Sequence, residues 1–397
     1  MSTSAPSAAA QPPGRVISGA DNPLVGTGLG LSALARPGGR QSVSGIVATV
    51  FGGSGMVGRF VVNHLGRIGS QVITPYRSGD GMNVRHLKLA GDLGQIVPIP
   101  FDMADMDSIR RCVAKSNVVI NCIGLRHETV HYSFDDVHAK VAYRLAQVSK
   151  ASGVERFIQI SAVGADPKSS SRFFQSKAIG EQNVRDFYPD ATIIRPTVIF
   201  GPQDDFLSYY AYVGTKLAAI PMTNDGMRKV QPVYVGDVAR AVLQSLADPA
   251  ARGQTYELGG NDVWTEAEII ALVREHTGAD IKMSKMGDTM GRIYGSIIGG
   301  RRTFLQDLKI GMIINTVAAM AGKLTLPTIF HSDMVAQKYT DLVRNPALPG
   351  LAELGVPHPT PMMTEIDSIL LPHRKEAIER FPDAELMKRD AKDTASY

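Results

Sequence analysis

The sequence predicts an α/β fold with a doubly wound parallel sheet and a smaller, mostly helical C-terminal subdomain. Three observations predict it. Short apolar runs rich in β-branched residues follow one another up to residue 196, segments with helical apolar spacing separate most of them, and a glycine-rich turn directly follows the first run. Near-continuous apolar strands that alternate with helices indicate a parallel sheet covered by helices on both faces.

Each strand is predicted where an apolar run lies between turn residues. The predicted strands are Ile46–Phe51, Gln71–Tyr76, Ile96–Phe101, Val118–Ile123, Arg156–Ser161 and Ala191–Pro196. The predicted helices are Val57–Leu65, Asp107–Ala114, Phe134–Ser152 and Arg172–Phe187. After about residue 200 the alternation weakens. There we expect a short strand at Pro232–Val235, a helix from Gly236, and a helix through Val273 that begins with a capping box at Thr265 and Glu268.

The totals exclude several classes of protein. The 397 residues carry a net charge of +4 and no basic run interleaved with aromatics, so nucleic acid is not the expected partner. Two cysteines, Cys112 and Cys122, do not make a disulfide framework and fit a reducing compartment. The longest apolar stretch, 310–322, is interrupted by Asn315 and Thr316, and we expect no membrane-spanning helix.

The turn after the first strand reads Phe51-Gly-Gly-Ser-Gly-Met-Val-Gly58 and lies directly before a helical segment. Small residues let backbone N–H groups approach a diphosphate, which then lies at the positive end of the helix. The alternative is a purely structural turn. The sequence favours a Rossmann-like nucleotide site formed by Gly52, Ser54, Gly55, Met56, Val57 and Gly58.

The end of the second strand indicates which nucleotide binds. An NAD site needs an acid about 20 residues after the glycine turn, whereas an arginine there pairs with the 2′-phosphate of NADP. Arg77 holds that place, so the sequence predicts NADPH. The alternative is that Arg77 is a solvated charge and that Asp80 does the work of the acid. Asp102 follows the third strand and is expected to meet the adenine edge.

The segment Ser171-Arg-Phe-Phe-Gln-Ser-Lys177 follows the fifth strand, at the sheet edge where doubly wound folds hold their ligands. On a helix, residues four apart share a face, so Phe173 and Lys177 are expected to point at the same place, near Ser161. The alternative for Lys177 is an ordinary surface lysine.

The glycine turn, Asn121-Cys-Ile-Gly124, Ser161, SRFFQSK with Glu181, and Arg195-Pro196 with Phe200-Gly-Pro202 resemble the extended and atypical short-chain dehydrogenases/reductases. The resemblance implies a Ser, Tyr and Lys that act together in hydride transfer, but Phe173 stands at the Tyr position. Since acid–base catalysis contributes roughly 10²–10⁴-fold, we expect no catalytic activity and a vestigial Ser161–Phe173–Lys177 set. The resemblance further implies that the cofactor contacts Met103, Cys122, Ile123, Gly124, Ser161, Lys177, Pro196 and Val198.

A narrower resemblance covers about residues 42–248 and resumes at Leu348–Gly355. These segments are similar to the nucleotide-binding accessory subunits of mitochondrial respiratory complex I. The resemblance implies an NADPH held without turnover, partners among the subunits of the matrix arm, and a peripheral position on the matrix side of the inner membrane, with lipid contact. One alternative is an active NADP-dependent reductase on a lipid- or quinone-like substrate, and another is a nucleotide-sensing regulatory protein.

The chain is expected to have four parts: a flexible segment over 1–45, a dinucleotide-binding domain over 46–260, a helical subdomain over 261–344 and an extended arm over 345–397. The first part is Ser- and Arg-bearing with few acids, which fits either a transit peptide or a flexible tail on a partner. Prolines from 346 to 361 favour an extended arm rather than packed structure.

Two further segments have more than one interpretation. His127-Glu-Thr-Val-His131 spells a zinc-protease signature, but it comes three residues after Gly124 and before a helix whose capping residues are Ser133 and Asp136. We therefore expect a loop and no metal. The apolar, basic stretch from Ile293 to Met320 is either the core of the C-terminal subdomain or a surface that docks on partner subunits or lipid.

Overall fold

The computed structural model describes residues 44–77, 81, 84–129, 131–216, 220–222, 224–281, 283–285 and 332–374. Several sequence predictions fall outside this part of the chain. They concern the N-terminal segment through residue 43, Asp80, the apolar and basic stretch over 293–320, and residues 375–397.

The chain forms thirteen strands and nine α-helices over the described residues. The strands are β1 Val47–Phe51, β2 Gln71–Arg77, β3 Ile96–Phe101, β4 Val118–Asn121, β5 Arg156–Ile160, β6 Thr192–Pro196, β7 Ile199–Phe200, β8 Ile220–Met222, β9 Lys229–Val230, β10 Val233–Tyr234, β11 Thr255–Leu258, β12 Trp264–Thr265 and β13 Met283–Lys285. The helices are α1 Met56–Arg67, α2 Met106–Val113, α3 Val141–Ala151, α4 Arg172–Phe187, α5 Leu207–Lys216, α6 Val235–Ala247, α7 Glu266–Thr277, α8 Ser332–Gln337 and α9 Met362–Leu370. A π-helical stretch, Asp135–Lys140, leads into α3.

Seven strands form one parallel sheet in the order β11-β6-β5-β4-β1-β2-β3. The chain runs outward from β1 to β3, returns to the centre at β4, and then runs outward on the other side. The strand order therefore reverses between β1 and β4, and the carboxyl ends of these two strands mark the place where such sheets bind ligands. The predicted doubly wound fold is confirmed.

The sheet is covered on both faces by buried apolar side chains. One cluster joins the strands to α1 and α6, and includes Val61, Leu65, Val238 and Val242. A second cluster lies under α2 and α3, where Ile109 and Leu145 are fully buried. The two clusters explain why the six predicted strands read as continuous apolar runs, because no face of the central strands meets water.

The prediction of an unpacked C-terminal arm is wrong for residues 345–374. The backbone there is irregular as far as residue 361, as the prolines indicated, but Leu351, Leu354 and Val356 are buried in the cluster beneath α1 and α6. Helix α9 then packs in a third cluster with α5 and α7. Prolines exclude regular structure without preventing apolar side chains between them from being buried. The predicted domain boundaries stay a prediction.

A buried charged cluster ties the C-terminal segment to the third apolar cluster. Lys338 Nζ lies 2.7 Å from Glu266 Oε1, and the Tyr210 hydroxyl donates to the same oxygen over 2.6 Å. The Lys338 and Glu266 side chains are 5% and 2% exposed. Glu266 follows Thr265 in the predicted capping box, which the structure confirms.

Among the residues that the structure describes, no helix combines the length and the hydropathy that crossing a bilayer requires.

Candidate functional site

The glycine turn between β1 and α1 brings three backbone segments into close contact. Gly52 has φ +76°, and a Cβ there would lie 2.8 Å from the carbonyl carbon of Cys122, at the end of β4. A Cβ on Gly58 would lie 2.1 Å from the carbonyl oxygen of Gly52. Only glycine fits either place. The turn therefore packs against the end of β4 and leaves its backbone unshielded by side chains.

Helix α1 begins without a capping side chain. Gly55 is the N-cap residue, no side chain among the described residues accepts from the first-turn N–H groups, and no acid lies in the first turn. Orphan N–H groups and the helix dipole make such an end favourable for an anion. Of the predicted nucleotide residues, Ser54 lies in the glycine turn, and Met56 and Val57 lie in the first turn of α1.

Arg77 and Asp102 lie at the carboxyl edge of neighbouring strands, because Arg77 pairs in register with Phe101. Both side chains are exposed. Asp102 Oδ1 accepts from the Ala104 N–H over 2.8 Å, and the Asp102 N–H donates to Ser108 Oγ over 3.0 Å. The carbonyl of Met103 accepts from Arg144 over 3.0 Å. This edge of the sheet therefore has the cation Arg77 at the end of β2, next to Asp102, which hydrogen bonds fix in the turn after β3.

Lys177 is buried beside the end of β4. Its Nζ lies 3.6 Å from where a Cβ on Gly124 would be, and Cys122 is close enough to interact with it electrostatically. Burial lowers the Lys177 pKa to about 8, against the opposing charges of Glu181 and Cys122. Burial also raises the Cys122 pKa to about 12. Lys177 is therefore a buried amine beside the segment that follows β4, and the surface-lysine alternative is excluded.

Ser161, just after β5, is 5% exposed, and its Oγ is buried without a hydrogen-bond partner among the described residues. A buried hydroxyl normally has a partner, since leaving it unpaired costs free energy. Two residues after Ser161, the Val163 N–H donates to the Pro196 carbonyl over 2.9 Å, so Pro196 lies close to this segment, whereas Val198 packs against the third apolar cluster. The unpaired oxygen fits a site built to hydrogen-bond a bound group.

Phe173 and Lys177 meet on one face of α4, as their spacing predicts. Lys177 Nζ lies 5.9 Å from the centre of the Phe173 ring. The ring also packs edge-on against Phe134, His138 and Phe174, with centroids 5.3–5.7 Å apart. Position 173 is therefore part of an aromatic cluster that has no hydroxyl to offer at this place.

His138 fixes the segment after β4 against the first turn of α4, and the sequence analysis did not identify it. Its Nε2 accepts from the Leu125 N–H over 3.0 Å, so the proton lies on Nδ1, which donates to Ser176 Oγ over 2.9 Å. Ser176 Oγ in turn donates to the Phe173 carbonyl over 2.8 Å. Burial and the charge of Lys177 lower the His138 pKa well below its usual value. A neutral imidazole thus joins the loop after β4 to the first turn of α4.

Asp333, on α8, caps α4 from a distant part of the chain. Its carboxylate accepts from the Arg172 N–H over 2.7 Å, from the Phe173 N–H over 3.3 Å and from Ser171 Oγ over 2.9 Å. The sequence offers no signal for this contact, because a lone aspartate 160 residues away follows no local pattern. The start of α4 is therefore already occupied by an anionic side chain.

The zinc-protease signature lies in irregular structure at His127, Glu128, Thr129 and His131, as expected. Glu128 accepts from the Phe134 N–H over 3.1 Å and pairs with Arg172 over 3.2 Å, so its carboxylate is used structurally. Ser133 and Asp136 form the predicted reciprocal capping contacts. In the part of the chain that the structure describes, no group of three or more His, Cys, Asp or Glu side chains is placed to hold a metal.

The depressed Lys177 pKa predicts a pH-dependent stability. Between pH 8 and 10.5 the folded lysine is neutral while the unfolded one is charged. The unfolded chain then binds more protons, so the free energy of unfolding rises with pH in this window, and the gain is lost as pH falls to 8. From pH 8 to 10.5 we expect the free energy of unfolding of wild type to rise, relative to that of Lys177→Met, by on the order of 3 kcal/mol. Urea unfolding of nucleotide-free protein at both ends of the window measures it, and parallel pH curves would contradict it.

Comparisons with known proteins identify the family of the chain. The model of the NAD dependent epimerase/dehydratase family matches residues 48–259. The mouse (Mus musculus) protein named NADH dehydrogenase [ubiquinone] 1 alpha subcomplex subunit 9, mitochondrial, is 40% identical over 338 residues, covering 85% of this chain and 83% of the mouse protein. The Arabidopsis thaliana protein of the same name is 46% identical over 252 residues, covering 63% of this chain and 62% of the plant protein.

Among solved structures, the epimerase Mth375 of Methanothermobacter thermautotrophicus matches with a TM-score of 0.54 at 17% identity, over 64% of this chain and 82% of that chain. This likeness shows the fold alone. The mouse and plant relatives confirm the predicted resemblance to accessory subunits of mitochondrial complex I. The chain belongs to the family of mitochondrial NADH dehydrogenase [ubiquinone] 1 alpha subcomplex subunit 9 proteins, which carries the fold of the NAD dependent epimerase/dehydratase family.

Proposed function

We infer that the chain is a non-catalytic, NADPH-binding accessory subunit of mitochondrial complex I. In this proposal it contacts other subunits of the matrix arm on the matrix side of the inner membrane, with peripheral lipid contact. The names of its relatives support the assembly and its location. The non-catalytic part depends on one observation, the hydroxyl-free ring of Phe173 beside Lys177.

The site fits a dinucleotide. The glycine turn and the uncapped end of α1 would hold the diphosphate, Arg77 the 2′-phosphate, and Asp102 with Met103 the adenine side. The unpaired Ser161 Oγ and the buried Lys177 amine would hydrogen-bond the nicotinamide half, next to Cys122, Ile123, Gly124, Pro196 and Val198. When bound, the nicotinamide of NADPH supplies a hydride, but position 173 supplies no proton to accompany it.

A ligand bound only by the folded state stabilises that state, by about 4 kcal/mol at a thousand times Kd. NADPH is therefore a structural ligand in this proposal. Native electrophoresis with mass spectrometry of the comigrating chains tests the assembly, and analysis of the nucleotide released on denaturation tests the ligand. We expect complex I subunits and NADPH. A small particle, or recovery of NAD⁺ or no nucleotide from the intact assembly, would contradict the proposal.

The substitution Phe173→Tyr tests the missing hydroxyl. We expect the NADPH affinity to stay within about threefold, since the change adds one polar atom to an aromatic ring. We expect no measurable turnover, because a reductase must also bind a carbonyl substrate against the nicotinamide. Nicotinamide fluorescence measures both quantities, with Phe173→Leu as the matched control. A clear gain of NADPH oxidation in the tyrosine variant alone would show that the hydroxyl was all that was missing.

A second candidate is a working reductase on a lipid- or quinone-like substrate. It is favoured by the Lys177 amine, whose pKa is lowered, and by the Ser161 hydroxyl, which has no partner among the described residues. These are two of the three groups that the reaction uses. It requires a proton donor other than residue 173. Oxidation of bound NADPH by wild type over many turnovers would establish it, and a single unchanging fluorescence signal would exclude it for the substrates tried.

A further inference from the structure

Arg59 is a cation in an unfavourable place. It lies in the first turn of α1, where its N–H donates to the Gly55 carbonyl over 2.9 Å. The positive end of a helix disfavours a basic side chain there. Burial lowers the Arg59 pKa, and its Nε is buried without a hydrogen-bond partner in the described part of the chain. No acidic side chain among the described residues forms an ion pair with it.

One neighbour does fix the guanidinium. Arg59 Nη1 donates to Gln203 Oε1 over 2.5 Å, across a separation of 144 residues. Gln203 lies in the loop between β7 and α5 and has a left-handed backbone with φ 62°. The next residue, Asp204, holds this loop, because its carboxylate accepts from the Leu207 and Ser208 N–H groups over 3.2 and 2.9 Å. The loop therefore reaches over the start of α1 and orients Arg59 with a neutral amide.

A neutral partner orients a charge without neutralising it. Burying a polar donor without an acceptor costs free energy, and a bound anion removes that cost. Arg59 adjoins Gly58 of the glycine turn, and the uncapped end of α1 provides further donors. Arg77 lies at the end of β2, a separate part of the sheet edge. By its place in the fold, Arg59 is thus suited to an anion at the glycine turn rather than to one at the end of β2.

We propose that Arg59 and Gln203 form a clasp for the diphosphate of the bound dinucleotide. Arg59 donates from Nε and from its second terminal nitrogen, and Gln203 holds the plane of the guanidinium. The clasp rests on the proposed dinucleotide binding and assigns it a diphosphate contact that the glycine pattern does not include. The clasp contacts only the diphosphate, so it contributes equally to the binding of NADPH and NADH. Arg77, in contrast, would contact the 2′-phosphate, which only NADPH has.

Two ligands and three variants test the clasp on the nucleotide-depleted full-length chain. Dissociation constants for NADPH and NADH are measured by nicotinamide fluorescence. We expect Arg59→Gln to weaken both about 10- to 100-fold, the loss of a charge-assisted contact. Arg59→Lys is expected to lose about tenfold, because lysine keeps the charge but not the planar set of donors. Arg77→Gln is the matched control and should weaken NADPH while leaving NADH within about twofold.

Failure of the clasp and failure of the proposed function give different results. If wild type binds neither dinucleotide, the proposed function is wrong. If wild type binds and both Arg59 variants bind both dinucleotides as tightly, the clasp is wrong and the proposed function stands. Thermal unfolding without nucleotide separates folding from binding. If Arg59→Gln does not fold, Arg59→Lys decides: an unchanged affinity for both dinucleotides overturns the clasp, and a parallel loss of both supports it.

Discussion

Replacing Lys338 with methionine is expected to lower the free energy of unfolding by about 3–5 kcal/mol. The ammonium lies 2.7 Å from Glu266 Oε1 in a site where both side chains are almost fully buried. Methionine keeps the length of the side chain and removes its charge, which leaves the Glu266 carboxylate buried with Tyr210 as its remaining donor at that oxygen. Glu266 Oε2 already has no partner among the described residues. Urea unfolding monitored by circular dichroism measures the loss.

A second substitution separates the pair from the packing. The double variant Lys338→Met, Glu266→Gln removes both charges, so we expect it to be more stable than Lys338→Met alone. Arg110→Gln is the control, because its ion pair with Asp107 is more than half exposed and should contribute less than about 1 kcal/mol. The single variant Glu266→Gln is measured as well. If the stability loss of the double variant equalled the sum of the losses of Lys338→Met and Glu266→Gln, the two residues would not be acting as a pair.

Gly58→Ala is expected to weaken dinucleotide binding by roughly 100-fold, the equivalent of one or two charge-assisted hydrogen bonds to phosphate. The new methyl would lie 2.1 Å from the Gly52 carbonyl oxygen and 2.7 Å from the Gly53 Cα, both of which belong to the backbone. Helix α1 must therefore move away from the turn, and we expect a stability loss of about 1–3 kcal/mol. Fluorescence titration with NADPH and urea unfolding measure the two effects.

Gly153→Ala is the matched control. Gly153 has φ +75° and nothing within 4 Å of an added Cβ, so alanine there costs backbone strain of about 1–2 kcal/mol and should leave nucleotide affinity unchanged. If Gly58→Ala bound NADPH as well as Gly153→Ala, the glycine turn would be structural only.

Local patterns predicted most of the sheet. The bounds of β3 and α4 agree to the residue, because each is a continuous run with clear turn residues at its ends. Strand β11 was missed. Its buried Glu257 pairs with Arg195 over 3.4 Å, and a charged residue in a short strand hides the apolar pattern. The glycine turn and the shared face of Phe173 and Lys177 were predictable for the same reason, since neighbours in sequence determine them.

The rest of the site depends on contacts that no local pattern records. His138 belongs to a predicted helical segment, yet its two ring nitrogens bridge Leu125 and Ser176. Asp333 and Gln203 reach the site from segments far along the chain. Sequence spacing identifies residues that share an element, whereas these three side chains act between elements.

The Asp333 cap also bears on the order in which the chain folds. Synthesis runs from the N-terminus, so the first turn of α4 is made about 160 residues before the carboxylate that satisfies its N–H groups. Leu351 and Leu354, which fill the cluster beneath α1 and α6, come later still. Contacts of such long range are slow to form. We therefore expect a nascent chain that ends near residue 260 to hold its sheet only loosely and to need chaperone protection until the C-terminal segment arrives.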